Sequence, residues 1–167
     1  YKAHMDKIAS DGLVFCCKGE ECCLTGFHTS ACADCLPIMD IVILMVKATQ
    51  TADVMADTMP CIGPETVVVS LQNGLGNDLD LAKFVSEAQI GCGCGRIGTV
   101  LTAPGQCDSR PAQGIVNMYL GPVYGGSIAA EGCKYIVDCF AKGGLNPEYL
   151  DDVRPVSYTH LTLPTNS

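Results

Sequence analysis

Two runs of apolar residues constrain this chain most: Ile41 to Val46, in "DIVILMVKATQ", and Thr66 to Leu71, in "VVVSLQNGLGN". Each is oily at successive positions rather than at alternate ones, the pattern of a parallel strand covered on both faces. A helical pattern follows each run. Ala52, Met55, Ala56 and Met59 recur at the i, i+3, i+4, i+7 spacing, with Thr49 or Thr51 placed to cap and Pro60 to terminate. Leu75, Leu79, Ala82 and Val85 mark a second stripe after Gly74 and Gly76. The order is β-α-β-α, and such crossovers are right-handed, so the two strands lie parallel in one sheet. Lys47 and Asn73 then leave that sheet at the same carboxyl-end rim.

The flanking segments extend the plan. Met5, Ile8 and Ala9 predict a short helix stopped by Gly12, followed by the strand "LVFCC", a turn at "KGEE" and a second strand from "CCLTGFHT", forming a small antiparallel or edge element. Beyond Ile90, "GCGCGRIGTVLTAPGQC" and "IVNMYLGPVYGG" read as further strands, two of them joined by the turn "APG". A third amphipathic helix runs from Ala129 to Phe140 and closes at Gly143 and Gly144, and "LNPEYLDDVR" is a final edge strand or linker.

Composition narrows the function. Ten Lys and Arg against 18 Asp and Glu give a net charge of -8 with no basic stretch, which argues against a nucleic-acid partner. The longest apolar run is far short of the ~20 residues a bilayer requires, and the N-terminus carries no signal-peptide pattern, so the expectation is a soluble cytoplasmic protein without a membrane partner. Twelve cysteines in such a chain raise the question of metal or redox chemistry. Cys32-x-x-Cys35 has no second C-x-x-C at finger-like spacing, and the neighbours Cys16–Cys17 and Cys22–Cys23 point to opposite faces of a strand. No metal is expected, and Cys61, Cys133 and Cys139 read as small buried hydrophobes.

In open α/β sheets ligands sit in the crevice outside the carboxyl ends of the strands. Lys47 there offers a positive charge to an anion, Asn73 both donates and accepts hydrogen bonds, and Gly74 and Gly76 leave room for close backbone approach. Gly93, Gly95 and Gly98 fit the spacing G-x-G-x-x-G but open no helix, so that match is rejected as a phosphate loop. His4 and His28 have no acid or nucleophile partner and receive no role.

The stretches "DIVILMVKATQTADVM", "GPETVVVSLQNGLGN" and "GTVLTAPG", in that order, closely resemble the nucleotide-binding domain of the ketopantoate reductases, and "YKAHMDKIASDGLVF" is similar to the family's segment after its second strand. The resemblance covers about residues 1 to 154. It implies an α/β, Rossmann-like, mostly parallel sheet flanked by helices, incomplete because the first βαβ unit and the C-terminal helical domain are missing. It implies reduction of 2-dehydropantoate to pantoate with NADPH, on the route to pantothenate and coenzyme A, with a 2-keto acid as the small-molecule partner.

Carried over position by position, the resemblance makes Lys47, Asn73, Gly74 and Thr99 cofactor-binding, with Gly98 a weaker alternative to Thr99, and makes Asn73 substrate-binding as well. Gln72 is their motif neighbour. The family's phosphate-binding glycine turn is expected before Tyr1. Its general-acid Lys and its Glu are expected after Arg154, so no catalytic residue is expected in this chain, which is expected to be inactive alone. Val156 to Ser167, "VSYTHLTLPTNS", is similar to a translated sequencing adapter and is set aside as a foreign tail, so residues 1–154 form the partial NADP-binding domain and 155–167 the tail. Two other readings stand beside this one: a dehydrogenase of the same fold acting on another 2-keto acid, and a non-catalytic metal or redox module at Cys16 to Cys35.

Overall fold

The structure, a computed structural model, describes residues 2–17, 19–111 and 114–155. The tail from Val156 to Ser167, with its His160, lies outside those residues. The chain divides into two compact units: Tyr1–Ala31 with Arg96–Gly114, and Cys32–Gly95 with Ile115–Ser167.

The first unit contains helix α1 (Lys2–Asp11) and strands β1 (Leu13–Cys17), β2 (Glu20–Leu24), β6 (Ile97–Ala103) and β7 (Gln106–Pro111), in a sheet of order β2-β1-β7-β6. The predicted helix stop at Gly12 is present: Gly12 adopts φ +85°, and its N–H donates to Ile8 O at 3.0 Å. β1 and β2 pair antiparallel, with Leu13 opposite Leu24. The second strand ends earlier than the sequence pattern indicates, at Leu24, and Gly26 turns the backbone to φ +86°. "APG" is the β6–β7 turn, with Gly105 at φ +74°.

The second unit carries the sheet predicted around the two apolar runs. Its strands are β3 (Met39–Leu44), β4 (Ile62–Ser70), β5 (Ile90–Gly95), β8 (Met118–Pro122) and β9 (Pro147–Tyr149), in the order β3-β4-β5-β8-β9. β3/β4, β4/β5 and β8/β9 are parallel, and β5/β8 is antiparallel. Helices α2 (Thr51–Thr58), α3 (Asn77–Leu81) and α4 (Ser127–Lys142) complete it.

The Thr66 to Leu71 run meets the covered-strand expectation from Thr66 to Ser70, all buried, with Leu71 half-buried. Alternation along it feeds two cores. Val68 packs with Leu44, Met55, Leu81 and Ile90, whereas Val67 and Val69 pack with Leu120, Cys133 and Ile136 of β8 and α4. β3 does not meet the expectation. It is the outer strand of the described sheet, and Ile43 and Met45 are 40% and 75% exposed.

Both predicted helical stripes need correction. In α2 Met55 is fully buried, but its buried companion is Thr51, while Ala52 and Ala56 face outward. Thr51 is no cap: Gln50 holds the cap position without a side-chain bond. Pro60 falls within a short 3-10 turn over Met59–Cys61 that continues α2. In the second stripe Ala82 and Val85 pack against the core as predicted, but Leu75 and Leu79 are exposed and Leu81 is the fully buried residue. Gly76 is left-handed, and the helix begins only at Asn77, after Leu75.

Two glycines of the glycine-rich strand are required by packing. A Cβ on Gly91 would lie 2.5 Å from Cys133 Sγ, and one on Gly93 would lie 2.7 Å from Tyr119 O. Among the described residues no helix is long and apolar enough to cross a membrane.

Candidate functional site

The exits of β3 and β4 define the candidate site. Both strands run in one direction, and the ladder continues past β4 when Leu71 N donates to Leu44 O at 3.0 Å. After β3, Lys47 caps a short 3-10 turn, Ala48–Gln50, that leads into α2, with Gln50 N donating to Lys47 O at 2.8 Å. After β4, the chain turns through Gln72, Asn73 and Gly74. Lys47, Asn73 and Gly74 are exposed on this one rim. Thr99, with Gly98, belongs to the other unit, where it is exposed on β6 opposite Ser109.

The residue that organises the rim is Gln72. It is only 6% exposed. Its Nε2 donates to Val46 O at 3.0 Å and to Thr51 Oγ1 at 2.9 Å, and its Oε1 accepts from Ser70 Oγ at 3.0 Å. Asn77, also buried, donates from Nδ2 to the carbonyls of Gln72 at 3.3 Å and Gly74 at 3.1 Å. The two carbonyls on either side of Asn73 are therefore held by one side-chain amide, leaving the Asn73 side chain outside the clamp. Sequence reading gave Gln72 only the standing of a motif neighbour. The available signal was a long polar residue directly after an apolar strand, where burial demands bonded partners.

A cleft opens beside this rim, lined by Gln72, Gly74, Gly76, Asp78, Cys92 and Arg154 among others. Tyr124 donates its O–H to Asp78 Oδ2 at 3.2 Å. Burial first, and then the Asp78 carboxylate, pushes the Tyr124 phenol up to about 12. Arg154 holds Asp152 through Nε and Nη2 at 3.0 and 2.9 Å, and that pair keeps the Asp152 carboxyl below its ordinary value. Cys92 is pushed up to about 12, chiefly by burial and next by Asp78. It is a protonated thiol at neutral pH and no nucleophile.

Lys47 carries a positive charge, and Asn73 carries a donor and an acceptor. At Gly74, φ is +115° and an added Cβ would meet nothing within 4 Å, so the backbone there faces open space. A charge, a paired donor and acceptor, and an open stretch of backbone thus meet on one rim. No cluster of three or more metal-ligating side chains occurs among the described residues.

A mixed, mostly parallel sheet with helices on both faces and a polar crevice at the carboxyl ends defines a Rossmann-like α/β protein. Residues 1–125 match the family model described as Ketopantoate reductase PanE/ApbA, well over half of the chain, and the protein belongs to that family of oxidoreductases. A 2-dehydropantoate 2-reductase of Lactococcus lactis subsp. lactis (strain IL1403) is 28% identical over 114 residues, 68% of this chain and 35% of that protein.

Solved structures agree on the fold. A provisionally assigned 2-dehydropantoate 2-reductase from Enterococcus faecalis superposes with a TM-score of 0.77 at 28% identity, over 96% of this chain and 50% of its own. The 2-dehydropantoate 2-reductase from Geobacter metallireducens GS-15 gives 0.80 at 20%, over 92% and 49%. A D-mandelate dehydrogenase solved with NADH and anilino(oxo)acetate gives 0.75 at 24%, over 96% and 50%. The chain thus spans about half the length of these solved relatives and 35% of the Lactococcus protein.

Proposed function

We propose that the whole protein is a cytoplasmic reductase that converts 2-dehydropantoate to pantoate with NADPH, and that residues 1–154 are part of its cofactor-binding domain. The observation that carries this reading is the rim on which parallel strands β3 and β4 present Lys47 and Asn73, in a chain of the ketopantoate reductase family.

When bound, the nicotinamide supplies a hydride to the ketone carbon. Lys47 offsets the negative charge of the dinucleotide or of the substrate carboxylate. Asn73 orients cofactor and substrate by hydrogen bonds, and Gly74 lets the backbone approach them. Thr99 is the fourth proposed cofactor contact, as the family resemblance implies. The proton for the developing alkoxide is assigned, as the family resemblance implies, to a lysine outside residues 1–154, so this chain by itself is inactive.

A second reading keeps the rim and changes the substrate. The likeness to D-mandelate dehydrogenase favours it, because that protein shares the fold and was solved with an oxoacetate ligand and NADH. One assay separates the two: kcat/KM of the purified whole protein for 2-dehydropantoate and for aryl oxoacetates, each with NADPH and NADH. Preference for 2-dehydropantoate with NADPH supports the first reading, and preference for an aryl oxoacetate replaces it with the second. Turnover by residues 1–154 alone overturns the claim that the chain is inactive.

A further inference from the structure

The geometry points to Gln72 as a positioning residue that sets the spacing of the Lys47 and Asn73 loops without touching the ligand itself. The inference rests on the reading of Lys47 and Asn73 given above. Three observations carry it.

The first is saturation. Both Nε2 hydrogens and Oε1 of Gln72 have partners within the protein, and the side chain is buried, so its amide is committed before any ligand arrives. The second is where the partners lie. Val46 is the residue before Lys47, Thr51 opens α2 on the far side of Lys47, and Ser70 ends β4. One amide therefore clamps both flanks of the Lys47 segment to the strand that delivers Asn73. The third is the companion clamp, in which Asn77 fixes the carbonyls on either side of Asn73. Lys47 and Asn73 have exposed side chains, so their mutual placement depends on these backbone anchors.

Residue chemistry makes the position demanding. Asn is one methylene short of the same reach. Glu offers acceptors where Val46 O needs a donor, and Leu leaves that carbonyl and the Thr51 hydroxyl without their partner.

The test uses the whole protein and NADPH binding, read from the fluorescence of NADPH. Gln72→Leu is expected to weaken binding about tenfold, the scale of one lost buried hydrogen-bonding group. In a Lys47→Ala background the same change is expected to add no more than about twofold, because the residue it positions is gone. Equal effects in both backgrounds would mean general destabilisation and would overturn the inference. Gln72→Glu gives a second readout in a side chain of nearly the same size. Protonation of the carboxyl restores one donor, so its affinity relative to wild type recovers as pH falls, and a ratio independent of pH overturns the inference. If Lys47→Ala and Asn73→Ala both bind NADPH like wild type, the site reading falls and the inference with it. If they bind weakly while Gln72→Leu binds normally, only the positioning role falls.

Discussion

The backbone N–H of Gly105 donates to Nδ1 of His4 at 2.9 Å, joining segments 101 residues apart in sequence. Gly105 O in turn accepts from Val14 N at 2.8 Å. α1, β1 and the β6–β7 turn are thus held at one point, and the φ of +74° at Gly105 favours glycine, since side-chain-bearing residues rarely adopt it. His4 thus serves as a hydrogen-bond acceptor that holds the fold, with no acid or nucleophile partner among the described residues.

His4→Leu removes the acceptor and leaves the Gly105 N–H to water or to nothing. The expected cost is about 1 kcal/mol of unfolding free energy. His4→Gln, which returns an acceptor, is expected to recover part of it. Urea denaturation of the two variants checks this, and a His4→Leu protein as stable as wild type would remove His4 from the account of the fold.

Gly132 sits on the face of α4 that packs on β4. An added Cβ would lie 2.5 Å from Val67 Cγ2 and 2.9 Å from Val67 Cβ. Two effects compete in Gly132→Ala. Helix propensity gains up to about 1 kcal/mol, whereas overpacking a filled core costs about 1–3 kcal/mol. The contact includes the Cβ of a buried β-branched residue rather than a flexible tip, so the cost wins and the variant is destabilised. In a Val67→Ala background the space is open, and Gly132→Ala is expected to be neutral or stabilising. Denaturant midpoints of the four proteins in this cycle decide it.

Cysteine chemistry follows burial. Cys92 and Cys133 are pushed from 9.0 up to about 12, Cys133 by burial and Cys92 by burial, then Asp78 and Cys133. Cys22, Cys23, Cys32, Cys35 and Cys139 are exposed. Iodoacetamide at pH 8, followed by mass spectrometry, is expected to modify the exposed group in the native protein and Cys92 and Cys133 only after denaturation. The same shifts set a pH limit on stability. Folded thiols keep their protons where unfolded thiols lose them, so the stability present below pH 9 falls as pH rises from 9 towards 12. Replacing both by alanine should flatten that alkaline fall, measured by unfolding between pH 8 and 11.

Much of this architecture was legible because it rests on local pattern. The apolar run from Thr66 to Leu71 has to be a covered strand, and the left-handed stops at Gly12 and Gly105 follow from the steric freedom of glycine. Where reading failed, pairing rather than pattern decided. Ile43 and Met45 are as apolar as Val68 and Val69, but only strand order shows that β3 lies at the edge. Gly76, which leaves room for a ligand, is also the left-handed residue before α3, where Leu81 and not Leu79 is buried. Lys47 and Asn73 could be placed on one rim because parallel strands share their carboxyl ends. Gln72 could not be read as the clamp between them, since its partners at Val46 and Thr51 lie 26 and 21 residues away.

Gly74 allows backbone strain to be separated from contact. Its φ of +115° is one that side-chain-bearing residues rarely adopt, although an added Cβ would meet nothing within 4 Å. Gly74→Ala therefore costs about 1–2 kcal/mol through the backbone alone. The loop can relieve that strain only by moving a carbonyl that Asn77 holds at 3.1 Å, and the movement is passed to Asn73. Gly19 provides the control, since it has φ +84° and equally open space but lies in the β1–β2 turn of the other unit. Both alanine variants are expected to lose similar stability by thermal unfolding, and only Gly74→Ala is expected to weaken NADPH binding by the whole protein. Equal affinities for the two variants would show that the Gly74 conformation serves the fold and not the ligand.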